Sequence, residues 1–358
     1  MNMAIAGPAT QARAVERDHG FHPLEIARVV AETAEASTFV LDVPAELREA
    51  FAYRAGQFCT FRFRIEDRTQ LRSYSMSSSP DVDDEFAVTV KRVAGGVVSN
   101  WMIDNLSVGD VVETTCPAGV FCLSRDDGDV HAFAAGSGIT PVFSLIKTAL
   151  ATTSRRVRLL YANRDSDSII FADNLARLKE GHAGRLEITH HLDIDDGFVG
   201  PPDVRALALA GSATENFVCG PEPFMQIVEQ TLLEEGLDED QIRIERFTPT
   251  EPGPEAEPEA PASGATSIVV TVELEGKVDS VEHRPGTTVL QTARAMGMSP
   301  PFSCESGNCA TCMARLVEGQ VTMRANNALS DAELEEGWVL TCQSVPTTPN
   351  VHVVYEDF

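Results

Sequence analysis

The pattern of apolar and polar residues divides the chain into regions with different periodicities. Between residues 22 and 123, short segments rich in β-branched and aromatic residues alternate partly with polar positions and are separated by turn residues. The clearest of these segments are residues 39–43, 57–63 and 85–92. Short strands at this spacing predict an antiparallel β-barrel.

From residue 130 the pattern changes to strands that alternate with helices, which predicts an α/β domain with a parallel sheet covered on both faces. The predicted strands are residues 131–135, 157–162, 186–190 and 216–219. The predicted helices begin near Pro141, Ala172, Pro201 and Pro221.

Residues 249–266 form the clearest boundary in the chain. They are dense in Pro, Glu, Ala and Gly and contain no aromatic or large aliphatic residue. Such a segment cannot bury enough surface to offset the entropy of ordering it, so we expect an extended, semi-stiff linker. Beyond it, residues 267–274 and 277–283 predict a β-hairpin, and residues 289–296 predict a helix. The sequence thus predicts a multidomain protein with a disordered N-terminus (1–20), a β-barrel (21–125), an α/β domain (126–248), the linker (249–266) and an α+β domain (267–358).

Composition excludes several classes of partner. The chain has 358 residues and a formal net charge of −26, which would repel both nucleic acid and an anionic membrane surface. No apolar run approaches the roughly 18–20 residues of a membrane span, and residues 1–20 lack the apolar core of a signal peptide. Eight cysteines in a chain of this length do not make a disulfide scaffold. We therefore expect a cytoplasmic protein with no nucleic-acid or membrane partner.

Four of the cysteines are spaced as metal ligands. Cys304, Cys309 and Cys312 form a C-x4-C-x2-C motif, and Cys342 follows far downstream. This is the spacing of a plant-type [2Fe–2S] cluster, in which three ligands share one tight loop and a remote cysteine completes the set. A structural zinc site is the alternative, but it typically uses two paired C-x2-C arms, whereas the fourth cysteine here stands alone.

The segment that begins at Arg72 is a candidate flavin site. The Arg72 guanidinium can pair with a pyrophosphate through its fork of donors. Tyr74 would share its face and could stack on a flavin ring, and Ser75 could donate to the reactive nitrogen. Farther along, Ser99 is a natural N-cap for a helix predicted from Trp101, whose N-terminus would be an anion site. The other candidate contacts around these elements are Ser73, Val90, Lys91, Gly96, Val97 and Val98.

A glycine-containing turn at residues 136–141 follows a predicted strand and opens a predicted helix. Its glycines would let a pyrophosphate approach the helix N-terminus, although an ordinary strand-to-helix turn looks the same. The later turn at Cys219 strengthens the case, because ligands of such folds bind at the carboxyl ends of parallel strands. We therefore predict a nicotinamide dinucleotide site, with Thr140 as a helix cap and Cys219 beside the nicotinamide. Its candidate contacts are Gly136, Gly138, Thr140, Cys219, Gly220 and Pro221.

These motifs, in this order, resemble the ferredoxin–NADP reductase superfamily, in the branch with a C-terminal plant-type ferredoxin domain. The resemblance implies a β-grasp fold for that domain. Within the branch, the chain is most similar to reductase components of 3-ketosteroid 9α-hydroxylases and less similar to those of phenylacetyl-CoA epoxygenases. The residues that carry the resemblance are 72–80, 90–102, 134–141, 160–171, 219–225, 304–312, 321–337 and 339–344.

The resemblance also implies roles for individual residues. Arg72 and Ser99 would hold the FAD pyrophosphate. Tyr74 would stack on the isoalloxazine, with Ser75 near its N5, and Cys219 would lie near the hydride-donating carbon, which makes these three the candidate catalytic residues. Phe247 could cover the other face of the flavin, as a terminal aromatic residue does in reductases that lack the extra domain.

The implied activity is an NADH-dependent oxidoreductase that passes single electrons through FAD and a [2Fe–2S] cluster to a terminal oxygenase component. The leading prediction is a Rieske-type oxygenase, specifically a 3-ketosteroid 9α-hydroxylase, because Rieske centres lie ~250 mV or more above plant-type clusters. Two alternatives stay open: a di-iron oxygenase such as phenylacetyl-CoA epoxygenase, and a non-catalytic electron carrier or scaffold. For the coenzyme, Asp165 and Asp167 surround Arg164 where an NADPH enzyme needs cations. NADH is therefore predicted, with NADPH as the alternative.

Overall fold

The computed structural model describes residues 3–6, 20–66, 68–124, 128–211, 213–247, 268–274, 276–298, 300–302, 305, 307 and 310–355. The chain divides into two units, one of residues 22–117 and 121–248, the other of residues 1–21, 118–120 and 249–358. The first strand, β1, is Met3–Ala6 and belongs to the second of these units. Among the described helices, none is long and apolar enough to cross a membrane.

The first unit begins with a six-stranded antiparallel sheet in the order β5-β4-β7-β2-β3-β6. Its strands are β2 (His22–Thr33), β3 (Ala36–Asp42), β4 (Phe58–Ile65), β5 (Arg68–Ser75), β6 (Phe86–Lys91) and β7 (Val111–Thr114), with helix α1 (Val97–Asn105) between β6 and β7. A bridge between Met76, one residue after β5, and Val88 of β6 joins the two edges of the sheet. The predicted antiparallel barrel is therefore confirmed.

Buried and exposed residues alternate along the strands, and this alternation explains how the barrel core forms. In β2, Leu24 and Ile26 are fully buried, while Glu25 between them is exposed. Phe39 of β3 and Phe61 of β4 fill the same apolar cluster. One face of each strand is therefore apolar enough to close the sheet around a dry interior.

The rest of this unit is a five-stranded parallel sheet in the order β10-β9-β8-β11-β12. Its strands are β8 (Asp129–Ala135), β9 (Val157–Asn163), β10 (Leu186–Leu192), β11 (Ala213–Cys219) and β12 (Ile242–Glu245). Its helices are α2 (Ile139–Thr152), α3 (Ala172–Gly181), α4 (Asp193–Asp196), α5 (Pro201–Ala208) and α6 (Glu222–Glu234). Neighbouring residues of β8 enter different apolar clusters: Ala134 belongs to one and Phe133 to the other. The sheet is thus covered on both faces, as predicted.

Hydrogen bonds between helix α2 and the segment after β5 connect the barrel to the parallel sheet. The Ser144 hydroxyl donates to the carbonyl of Ser78 at 2.5 Å, and the hydroxyls of Thr148 and Ser79 lie 2.7 Å apart. All of these residues except Thr148 are buried. The segment that follows the candidate flavin motif is therefore fixed to the helix that follows the candidate nicotinamide turn.

The second unit contains an α+β domain with two sheets, in the orders β14-β13-β19-β15-β17 and β1-β16-β18. Its strands are β13 (Val269–Leu274), β14 (Lys277–Glu282), β15 (Met313–Glu318), β16 (Gln320–Met323), β17 (Trp338–Leu340), β18 (Ser344–Pro346) and β19 (Asn350–Tyr355), and its helices are α7 (Val289–Ala295) and α8 (Asp331–Glu335). Strands β13 and β14 form the predicted hairpin. Strand β13 also pairs with the last strand, β19, in parallel.

The N-terminal region differs from the expectation. The sequence predicts no element before residue 21, whereas β1 pairs antiparallel with β16, from Met3 opposite Met323 to Ala6 opposite Gln320. The predicted linker, residues 249–266, lies outside the described residues.

Candidate cofactor sites

The candidate flavin motif begins within strand β5, which ends at Ser75. Arg72 is exposed, and its Nη1 donates to the carbonyl of Leu71 at 2.6 Å. Tyr74 is half-buried, with its ring edge-on to Phe61 at a centroid distance of 5.8 Å. Arg72 has no carboxylate partner in the part of the chain that the structure describes, so its guanidinium is available to a phosphate. Ser73 is held by a 2.9 Å hydrogen bond to the hydroxyl of Thr60.

Helix α1 begins earlier than predicted. Its N-cap is Gly96 and its first residue is Val97, so Ser99 lies inside the first turn, and its assignment as the N-cap is wrong. The Ser99 hydroxyl accepts from the backbone N–H of Val93 at 3.2 Å. A Cβ on Gly96 would lie 2.9 Å from this hydroxyl oxygen. Ser99 therefore fastens the preceding turn onto the helix, and Gly96 permits the close approach. The neighbouring Val98 is buried and Val97 is exposed.

The helix that follows the nicotinamide turn also has a different N-cap from the one predicted. Residues Gly136–Gly138 form a 3-10 turn, and α2 begins at Ile139 with Gly138 as its N-cap. Thr140 does not cap the helix, because its hydroxyl donates back to the carbonyl of Ser137 at 3.0 Å. Gly136 has a φ of 52°, in the left-handed region that favours glycine.

The two predicted nicotinamide loops lie against each other. A Cβ on Gly138 would be 2.1 Å from the carbonyl oxygen of Cys219, so no other residue fits there without movement. A Cβ on Gly220 would be 2.9 Å from that of Ala135. Strands β8 and β11 are parallel neighbours, and both loops follow their carboxyl ends. Pro221 is exposed at the N-cap of α6. This is the edge of the sheet where such folds bind ligands.

Glu245 joins this site, although no motif in the sequence points to it. It ends β12 directly opposite Cys219 in the register, and it is 8% exposed. The Ser75 hydroxyl donates to its Oε2 at 2.8 Å. Burial raises the pKa of Glu245 to about 8, with the Ser75 hydrogen bond acting in the opposite direction. The signal available in the sequence was an acidic residue at the end of a short apolar strand.

Burial also raises the pKa of the Cys219 thiol well above its ordinary value, and the neighbouring Glu245 carboxyl adds to this effect. Cys219 is completely buried. At neutral pH it is a thiol rather than a thiolate, which makes it a packing and contact group rather than a nucleophile.

Three further candidate residues are Lys91, Val90 and Phe247. A Cβ on Gly136 would lie 3.4 Å from Nζ of Lys91, so Lys91 reaches from β6 to the nicotinamide turn. Val90, its neighbour, is fully buried. Phe247, two residues after the end of β12, is 40% exposed. Its exposed ring has room to pack against a ligand.

The carboxyl end of β9 carries the residues expected to discriminate between coenzymes. Nε of Arg164 lies 2.7 Å from Oδ2 of Asp165, and the Arg164 side chain is 63% exposed. This contact holds the pKa of the Asp165 carboxyl below its usual range. Asp165 also accepts from the backbone N–H of Ser168 at 2.9 Å. The Arg164 cation is thus paired with an ordered carboxylate. After β10, Phe198 is 87% exposed at the same edge of the sheet.

The cysteine motif lies in the other unit. Cys304 and Cys309 are outside the described residues. Cys312 and Cys342 are buried, and the carbonyl of Cys312 accepts from the hydroxyl of Thr341 at 2.7 Å. Gly307, within the motif, has a φ of 80°, and a Cβ there would lie 2.9 Å from the carbonyl oxygen of Ala325. A position in the motif that has no room for a side chain, next to Gln343 and the buried Cys342, fits a [2Fe–2S] cluster.

Three family models match successive parts of the chain. Residues 23–122 match the oxidoreductase FAD-binding domain, and residues 133–230 match the oxidoreductase NAD-binding domain. Residues 272–347 match the 2Fe-2S iron-sulfur cluster binding domain. The chain therefore has domains for all three predicted cofactors: FAD, a nicotinamide dinucleotide and a [2Fe–2S] cluster.

Several relatives match this chain over almost its whole length and almost all of their own. The chain is 39% identical over 350 residues to the ferredoxin reductase component of 3-ketosteroid-9-alpha-monooxygenase from Rhodococcus rhodochrous, covering 95% of this chain and 99% of that protein. It is 32% identical to a component of the 1,2-phenylacetyl-CoA epoxidase of Escherichia coli K12, covering 94% and 98%. Among solved structures, phthalate dioxygenase reductase has the same fold, with a TM-score of 0.59 and 24% identity over 94% of this chain and 98% of that chain.

Proposed function

This chain belongs to the family of oxygenase reductase components with FAD-binding, NAD-binding and [2Fe–2S] domains, and from that premise we propose its coenzyme and its partner. It takes electrons from NADH and delivers them one at a time to a Rieske-type oxygenase, specifically one that hydroxylates 3-ketosteroids. The higher identity to the steroid relative, 39% against 32% for the phenylacetyl-CoA relative, supports this choice of partner.

One observation carries the redox function. Ser75 of the flavin motif is hydrogen-bonded to Glu245, which is the register partner of Cys219 in the nicotinamide motif. Two motifs that are far apart in the sequence therefore meet at one buried point. Such a meeting is what direct transfer between a nicotinamide and a flavin requires, because both rings must be held in contact.

The side chains of this site bind and orient the cofactors, and they do not act as general acids or bases. Arg72 and the first turn of α1, with Ser99, would hold the FAD pyrophosphate, and Tyr74 would pack against the flavin. Lys91 and the turn at Gly136 receive the nicotinamide dinucleotide. The bound FAD would supply hydride chemistry with NADH, and the cluster would supply one-electron transfer. Phe247, whose ring is partly exposed, would pack against the flavin.

Burial keeps the side chains of Glu245 and Cys219 uncharged at the proposed flavin site. Ser75 and Glu245 form a hydrogen-bonded pair whose carboxyl is neutral at pH 7, because its pKa is raised to about 8. Cys219 remains a thiol for the same reason. A site of neutral, buried side chains favours transfer of a hydride over its loss to solvent.

In the C-terminal domain, Cys304, Cys309, Cys312 and Cys342 are the proposed cluster ligands. We retain the division into an FAD domain (21–125), a nicotinamide domain (126–248), a linker (249–266) and a ferredoxin domain (267–358) as part of the proposal. We also place the protein in the cytoplasm, where a reductase has access to NADH.

The coenzyme preference is tested by steady-state kinetics with an artificial acceptor. The wild type should have a higher kcat/KM with NADH than with NADPH, because Asp165 pairs with Arg164, the cation at the coenzyme edge. Asp165→Ser should shift the preference toward NADPH by about tenfold, because it frees the Arg164 cation for a 2′-phosphate. Asp167→Ser is the matched control, since Asp167 is exposed and is not paired with Arg164. A wild type that favours NADPH would refute this part of the proposal.

The partner is tested by reconstitution. The purified protein is mixed with NADH and, in separate reactions, with a purified Rieske-type 3-ketosteroid oxygenase or a di-iron phenylacetyl-CoA epoxygenase. Hydroxylated steroid formed in proportion to the NADH consumed is the expected result. Product with the di-iron enzyme alone would support the alternative partner. A protein whose flavin is not bleached by NADH or NADPH would instead be an electron carrier or scaffold.

A further inference from the structure

The side chain of Gln343, next to the proposed ligand Cys342, carries an amide donor, Nε2, that has no role in the cofactor sites above. Gln343 is buried, with 9% of its surface exposed. Its backbone N–H donates to the carbonyl of Leu340 at 2.9 Å, and its own carbonyl accepts from the N–H of Arg324 at 3.1 Å. Because both backbone groups are bonded, the position from which the side chain projects is fixed.

The carboxamide nitrogen of Gln343 lies between two acceptors. Its Nε2 is 2.7 Å from the carbonyl oxygen of Glu305 and 3.6 Å from Sγ of Cys342. A carboxamide has two N–H donors, so one is available to each acceptor. The opposite amide orientation would turn an oxygen toward a carbonyl and a thiolate, neither of which can donate. The chemistry of the neighbours therefore determines which end of the amide faces the sulfur.

The same side chain also contacts the loop that carries the other three proposed ligands. A Cβ on Gly307 would lie 3.1 Å from Cγ of Gln343. The carbonyl of Gly307 in turn accepts from the N–H of Asn327 at 2.9 Å. Gln343 thus connects the remote ligand, Cys342, to the cysteine loop at Glu305 and Gly307.

We propose that Gln343 is a positioning residue that raises the reduction potential of the [2Fe–2S] cluster through its hydrogen bond to Cys342. In this step one electron leaves the reduced flavin and enters the cluster, where it adds negative charge to the ligand sulfurs. An N–H donor at Cys342 stabilises this charge more in the reduced cluster than in the oxidised one. The cluster is thereby a better acceptor for electrons from the flavin.

The test is an equilibrium redox titration of the full-length protein loaded with FAD and cluster, followed by visible absorption and by electron paramagnetic resonance. Gln343→Leu removes the donor while keeping an apolar side chain of similar size. We expect the equilibrium constant for reduction of the cluster to fall about tenfold, which is ~59 mV for a one-electron couple. The FAD potential, measured in the same titration, should not change. Gln320→Leu, at an exposed position on β16, is the matched control and should leave both potentials unchanged.

Iron and acid-labile sulfide contents separate this role from a structural one. Gln343→Leu with a full cluster and an unchanged cluster potential would overturn the proposal. If the leucine variant does not hold a full cluster, Gln343→Glu retains the shape and replaces the donor nitrogen by oxygen. This variant should lower the cluster potential at least as far, and an unchanged or raised potential would refute the role. The inference rests on the proposed function only for the cluster as electron acceptor. No oxygenase is present in the titration, so an error in the partner assignment would not affect its outcome.

Discussion

The hydroxyl of Ser75 donates a 2.8 Å hydrogen bond to the carboxyl of Glu245 across 170 positions of the sequence. Ser75 ends a strand of the barrel, and Glu245 ends a strand of the parallel sheet. Because Glu245 is almost completely buried, its pKa is raised to about 8 and its carboxyl is protonated at neutral pH. The bond therefore joins the two halves of this unit without placing a charge between them.

Glu245→Gln should remove a pH-dependent part of the stability. The pKa of Glu245 in the folded protein, about 8, lies above its ordinary value of 4.5, so between these values the folded state binds more protons than the unfolded state. The stabilisation is complete below pH 4.5 and is lost as the pH rises through 8, with a slope that approaches ~1.4 kcal/mol per pH unit. Urea unfolding across this range should show the decline in the wild type and a flatter profile in the variant.

Glu234→Gln is the control for this experiment, because Glu234 is a half-exposed member of a surface ion pair. It should keep the wild-type slope. Equal slopes in the wild type and in Glu245→Gln would contradict a neutral buried carboxyl.

Arg72→Ala should weaken FAD binding. A guanidinium that pairs with a pyrophosphate contributes about 1.5–3 kcal/mol through charged hydrogen bonds, so we expect the Kd for FAD to rise by roughly 10–100-fold. Fluorescence titration of the deflavinated protein measures this constant. Arg68→Ala, an exposed arginine at the start of the same strand, should bind FAD like the wild type. Equal losses in both variants would indicate a general effect of positive charge.

Gly138→Ala should disrupt the contact between the two nicotinamide loops. The added Cβ would lie 2.1 Å from the carbonyl oxygen of Cys219, so the backbone must move. We expect a destabilisation of about 1–3 kcal/mol and a higher KM for NADH, measured by denaturant unfolding and by reduction of an artificial acceptor. Gly181→Ala is the counterpart, since a Cβ there meets nothing within 4 Å. A Gly138→Ala enzyme with the wild-type KM would show that this contact does not shape the coenzyme site.

Arg155→Met should be among the most destabilising substitutions far from the cofactors. Nη2 of Arg155 lies 2.8 Å from Oε2 of Glu215, and their side chains are 1% and 3% exposed. Glu215 also accepts from Arg243 and from the backbone N–H of Ser124, both at 3.0 Å. Removing one partner of a buried pair costs about 3–5 kcal/mol when the other charge is left unpaired. Because Arg243 still pairs with Glu215, we expect a loss at the lower end of this range.

Denaturant unfolding measures the loss, and Arg205→Met is the comparison. Arg205 pairs with Glu234 at 3.0 Å, but both side chains are more than a third exposed. Such a pair contributes roughly 0–1 kcal/mol. Similar losses in the two variants would mean that solvent reaches Glu215.

Helices and strands with a strong local period of apolar residues could be predicted from the sequence. The helix predicted near Ala172 begins at that residue, and β9 differs from its predicted bounds by one residue. Alternating apolar runs and proline or glycine punctuation decide these positions locally. The three sets of cofactor motifs follow from spacing in the same way.

The contacts that complete the site could not be predicted in this way. Strand β12 has only four residues, and its pairing with β11 is a tertiary contact. Glu245 therefore gave no local signal of its partner, Ser75. The capping roles of Ser99 and Thr140 were wrong because glycines, which need no side-chain bond, occupy the N-cap positions of α1 and α2.

The pairing of β1 with β16 has a consequence for how the protein is handled. With β1 in place, β16 has a neighbour on each side, β1 and β18. Proteolysis that removes residues 1–6 would leave a row of backbone donors and acceptors open at β16, and open strand edges pair with other chains. A trimmed preparation should keep its NADH turnover, yet its hydrodynamic radius should grow with concentration. A preparation in which some chains have lost these residues would then be polydisperse in solution but fully active.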